Sequence, residues 1–137
     1  MSEPLDRHAA LISTMVLVSA AEGRISDAEI ETMTRLVATL PAFAGFDRSR
    51  IEAIGQACVD LLAREDGLDL ALDRIAAALP APLRETAYAL ACDVIAADRD
   101  ASQNELRLLA LLRDRLELEP LVAAAIERAA RARHRSV

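Results

Sequence analysis

AAEGRISDAEI (Ala20–Ile30) and AADRDASQNEL (Ala96–Leu106) are two versions of one pattern, 76 residues apart. Each reads Ala-Ala, an acid, three residues, Ser, two residues, Glu, then an aliphatic residue. Ser-x-x-Glu ahead of an apolar run is a capping box. The Ser oxygen accepts a backbone N–H of the first helical turn, and the Glu reaches back to the N–H of the cap residue. Each copy therefore starts a helix. The matching extends outward: Val18 and Leu40 meet Val94 and Leu116, and Glu22 meets Asp98. The apolar registers at 30, 33, 36 and 40 meet those at 106, 109, 112 and 116. The spacing predicts two pseudo-repeated αα-hairpins, residues 11–40 and 87–116.

The remaining chain is also helical in period, with no strand alternation. In the first helix Leu11, Met15 and Val18 share a face, and Gly23 suits the left-handed residue that ends it. The second carries Ile30, Met33, Val37 and Leu40, and Pro41 stops it. Asp47 or Ser49 caps a third helix with Ile51, Ile54 and Cys58. Asp66-Gly67 breaks it before a fourth, with Leu72, Ile75 and Leu79. Pro80 and Pro82 prime the fifth, and Pro120 opens a seventh. The fold expected is all-α: a single-domain bundle of about seven helices over residues 1–137. Aromatics are 2% and Trp is absent, so the core must be built from Leu, Ile, Val, Met and Ala.

The formal charge is −6, which argues against a nucleic-acid partner. The one basic run, Arg131 to Arg135, reads as favourable charge at a helix C-terminus. Every basic residue is Arg, a coding bias that suggests a bacterial source. The longest apolar run, Ala9 to Ala21, is too short to span a bilayer, and no leader pattern precedes it. A cytoplasmic protein without a transmembrane segment is expected. Cys58 and Cys92 lack CxxC spacing and read as buried reduced thiols. His8 and His134 are expected at the surface, and Tyr88 as a packing residue with a wet hydroxyl. Asp66 and Asp69 read as caps, and Asp93 as facing solvent or an Arg. With no Gly-rich phosphate loop and no placed nucleophile or base, an enzyme is not expected.

Capping explains Ser26, Glu29, Ser102 and Glu105. It does not explain Glu22 and Asp98, which end the preceding helices. There the helix dipole disfavours negative charge by about 0.3–1 kcal/mol. Arg24, Arg99, the next helix N-terminus or a bound cation could compensate. In the second loop, Asp98, Asp100, Ser102 and Glu105 place oxygens at positions 1, 3, 5 and 8. Alternate oxygens in a tight loop can converge on a hard divalent ion. The loop is no EF-hand, being too short and lacking the central Gly and the acid at position 12. The first loop offers only Glu22 and Glu29. The candidate metal residues are thus Asp98, Asp100, Glu105, Glu22 and Glu29, for calcium or magnesium. The alternative is an acidic docking face for a protein partner, with capped helices and no metal.

At these residues the chain resembles the TerB-like proteins associated with tellurite resistance in bacteria. The resemblance rests on Leu11–Ile30, on Pro41 and Asp66-Gly67, and on Ala87–Leu106. The family's mark is an acid, usually followed by Gly, with a Glu some seven residues on, in each half. Glu22, Gly23 and Glu29 match the first copy, and Asp98 and Glu105 the second. Glu22 stands where Asp is more usual, and Arg99 replaces the second Gly. The resemblance implies an all-helical fold and a cluster of acids drawn from both hairpins. It also implies a divalent-metal site and a stress-response role, through a protein partner at the inner face of the membrane.

Overall fold

A computed structural model describes residues 4–20, 23–98 and 101–137. Among them run seven α-helices and no strand: α1 (Arg7–Ser19), α2 (Asp27–Thr39), α3 (Ile51–Leu62), α4 (Gly67–Ala78), α5 (Ala81–Ala97), α6 (Gln103–Arg115) and α7 (Pro120–Arg133). Short 3-10 turns at Pro41–Phe43 and Arg48–Arg50 join α2 to α3.

Helix α1 starts where Asp6 accepts the Ala9 N–H at 2.8 Å. Every residue from Ala9 to Ser19 is buried. A helix covered on all sides belongs in the interior, and its polar groups must be satisfied there. Thr14 and Ser19 comply by donating to the Ala10 and Met15 carbonyls, each at 2.8 Å. Helix α5 is the second central element, with Ala87, Tyr88, Ala91 and Val94 fully covered. The two helices that open the repeats thus form the middle of the bundle, packed on one another. Ala10, Ala87 and Ala91 present no bulk at 0% exposure, which favours close helix approach.

The second helix of each repeat reaches across. Helix α2 packs on α5, and α6 touches α1 as well as α5. Helices α3 and α4 cover α1, while α7 lies along α5. Arg84 ties the helix ends together, donating to the carbonyls of Ala76 at 2.8 Å, Leu79 at 3.0 Å and Leu116 at 3.3 Å.

Several local expectations are corrected. Ile30 and Leu106, expected on core faces, are 48% and 47% exposed. The buried stripe of α2 is instead Glu29, Thr32, Leu36 and Val37, and α6 buries Glu105 and Leu112. The departure is confined to the start of each helix, where the capping Glu is buried in place of the aliphatic residue after it; Leu36, Val37, Leu112 and Leu116 are buried as expected. Gly23 does take a left-handed φ of +79°, but α1 has already ended at Ser19. Asp47 caps the turn Arg48–Arg50, not α3 itself. Asp66 makes no side-chain cap bond, and Asp69 pairs with Arg115. His8 is half-buried, bonded to the Ala42 carbonyl at 3.0 Å and set against Phe43 and Phe46. His134 is also half-buried, 3.4 Å from Asp93, which Arg133 holds at 2.6 Å.

Candidate functional site

Both capping boxes form. Ser26 accepts the Glu29 N–H at 3.1 Å, and Glu29 Oε1 accepts the Ser26 N–H at 2.9 Å. Ser102 and Glu105 repeat this at 3.1 and 3.0 Å. The near-identity of the two sets follows from the local pattern alone. Their surroundings are not local. Crossing of the second helices brings both caps to one cavity of about 400 Å³, lined by Ser19, Arg24, Ser26, Glu29, Asp98, Ser102 and Glu105.

Glu29 and Glu105 are each only 3% exposed, and their carboxyls lie close together in this cavity. In each, Oε1 is occupied by the cap. The Oε2 atom of Glu29 is buried and has no hydrogen-bond partner. Leaving a buried acceptor unpaired costs about 1–3 kcal/mol, and more when it is charged. Two ionised carboxylates cannot bond to one another, because neither has a proton to give. Such an approach requires a positive third party, either a shared proton or a cation. Glu105 carries the mark of the first option. Burial pushes its carboxyl above the ordinary range, the Ser102 N–H opposes this, and the charges of Glu29 and Asp98 push it further up. The N-termini of α2 and α6 both face the cavity and place partial positive charge there. Arg24 is the one basic side chain among the described residues that line it, and it is exposed.

Of the five residues singled out by sequence, Glu29, Glu105 and Asp98 line this one cavity. Glu22 and Asp100 lie outside the described residues. Among the described residues, no group of three or more His, Cys, Asp or Glu is placed to hold a metal. The donors that meet are the two buried carboxylates. All are oxygens, the chemistry that suits calcium or magnesium and not zinc. The orphaned Glu29 oxygen fits such an ion.

A family model described as tellurite resistance protein TerB matches residues 8–128. The chain belongs to the TerB family. The match takes in both repeats, so both caps of this TerB chain lie within the shared region. No curated protein and no solved structure matches the chain. No helix of the described residues is long and apolar enough to cross a membrane.

A second polar group escaped the sequence reading. Tyr88 is 0% exposed, and its hydroxyl, expected to be wet, donates to Glu127 at 2.6 Å. Arg113 reaches the same Glu127 oxygen at 3.0 Å. Burial, then the Glu127 bond, holds the Tyr88 phenol far above its usual range. Burial also pushes the Cys58 thiol up to about 11 and the Cys92 thiol up to about 12. Thiols held protonated in this way are poor nucleophiles. The spacing of Tyr88 from Glu127 and Arg113 signals no contact, because three different helices supply them.

Proposed function

We propose that this TerB-family chain is a non-catalytic helical protein that holds a divalent cation between its two repeats, with Glu29 and Glu105 as the central ligands. One observation carries the reading: two buried carboxylates line one cavity, and one of their oxygens has no donor. A bound calcium or magnesium ion would supply the missing positive charge. Asp98 borders the same cavity, and Asp100 and Glu22 belong to the loops that lead into the caps. The ion would then clasp the two loops together and fix the end of the bundle they form. A partner protein could recognise that end in its ion-bound form. Family membership supports a place in a bacterial tellurite or chemical-stress response, in the cytoplasm and through a partner at the inner face of the membrane.

Calorimetric titration of chelator-stripped protein with calcium, then with magnesium, tests the reading. Saturable binding to the wild type, lost in Glu29→Gln/Glu105→Gln, is the expected result. Equal heats from wild type and variant overturn the metal site. Absence of heat from both turns the acidic end into a docking face whose binding weakens with salt and ignores chelators.

A further inference from the structure

A second cavity lies in the wedge between α5, α6 and α7, meeting the cap cavity at Asp98. It measures about 640 Å³, within the size range of small-molecule sites. Its walls are mostly aliphatic, from Ile95 and Ala96 on α5, Leu106 and Leu109 on α6, and Ala130 on α7. Leu106 stands at 47% exposure, an uncovered large side chain in a chain that buries most others.

Arg131 lies in the last turn of α7 and Arg135 just beyond its end, and both line the wedge. His134 between them is engaged by Asp93. Two acids also line the wedge. Glu127 is held through Oε2 by Tyr88 and Arg113, and Asp98 borders the cap cavity too. An aliphatic trough that also carries two arginines suits a single aliphatic chain ending in a carboxylate. Arginine pairs with carboxylate in a two-pronged geometry, and the chain would cover the uncovered leucine.

We infer that the wedge between α5, α6 and α7 is a binding site for a free fatty acid, its chain along Leu106 and Leu109 and its carboxylate held by Arg131 and Arg135. The site uses neither Glu29 nor Glu105 and should work in the absence of the cation proposed above.

The test is calorimetric titration of the full chain with dodecanoate, below its aggregation concentration and in chelator, so that no calcium soap forms. Three variants accompany the wild type. Leu106→Asp places a charge in the trough at a position exposed enough for the fold to tolerate. Arg131→Gln/Arg135→Gln removes the head-group contact. Glu29→Gln/Glu105→Gln removes only the cation pair. One-to-one binding is expected, at least tenfold weaker in Leu106→Asp and about fivefold weaker in the arginine variant. The glutamate variant should bind as wild type does. Dodecyltrimethylammonium, with the same chain and the opposite charge, should bind at least tenfold more weakly than dodecanoate. Equal binding of the two amphiphiles, or equal dodecanoate affinity in wild type and both wedge variants, overturns the site. So does binding to anionic vesicles without binding to dissolved dodecanoate, which would make the arginines a membrane contact.

Discussion

Replacing Glu105 with Gln should stabilise the ion-free protein. The substitution keeps the cap, because the amide oxygen can still accept the Ser102 N–H, now bonded at 3.0 Å. It also supplies the amide N–H that the orphaned Glu29 Oε2 lacks. Two carboxylates about 4 Å apart repel by about 4 kcal/mol at an effective dielectric near 20. The raised Glu105 carboxyl takes up a proton more readily than a free one, which lessens the repulsion as pH falls. The change from a charged to a neutral cap acceptor takes back about 1 kcal/mol. A net gain of about 1–2 kcal/mol near neutral pH is expected, or roughly 3–8 °C in Tm for a chain of this size.

The pH dependence fixes the cause. A carboxyl raised in the folded state binds its proton more tightly there than in the unfolded chain. Wild-type stability in chelator should therefore fall as pH rises through the folded value, and be fully recovered below the ordinary value of 4.5. The Gln variant lacks this titration, so its advantage should grow from acid toward pH 8 and fade below. Urea unfolding in chelator across that range is the assay. Calcium should reverse the order, since an ion at a hundred times its Kd adds about 2.7 kcal/mol to the protein that binds it. A variant less stable than wild type near pH 8 in chelator, by a margin independent of pH, would refute the facing-carboxylate argument.

Three further outcomes follow from the same structure. Arg24→Ala removes the basic side chain at the cavity rim, and calcium affinity by calorimetry should rise several-fold. Leu112→Ala, at a site 0% exposed, should cost about 2–5 kcal/mol by urea denaturation, whereas Leu106→Ala should stay within about 0.5 kcal/mol. Both substitutions would be costly if the buried stripe ran as the aliphatic pattern alone suggests. Glu117 ends α6 with φ at 57°, the one positive φ outside Gly among the described residues. Glu117→Gly should therefore raise Tm, for a gain of up to about 1 kcal/mol.

What the sequence disclosed was local. A capping box needs only Ser26, Glu29 and the turn between them, so both boxes were legible at sight. Gly23 and the helix-opening prolines act within a residue or two and were equally legible. The burial of Glu29 and Glu105 was not. It arises because α2 crosses onto α5 and α6 onto both α5 and α1, and no short spacing records that crossing. Hydrophobicity put Ile30 and Leu106 inside. The cap instead turns the neighbouring Glu inward and leaves the aliphatic residue outside. Tyr88 failed for the same reason, since its partners Glu127 and Arg113 come from α7 and α6. The repeat did predict that two acids would have counterparts. Only the packing places them in one cavity.

The most direct test is a crystal of the protein soaked in a lanthanide, a calcium mimic with strong anomalous scattering. The account predicts one dominant anomalous peak in the cap cavity, bonded to both the Glu29 and Glu105 carboxylates and absent from Glu29→Gln/Glu105→Gln. A cavity without a peak in the wild type, or a dominant peak elsewhere on the surface, would contradict it.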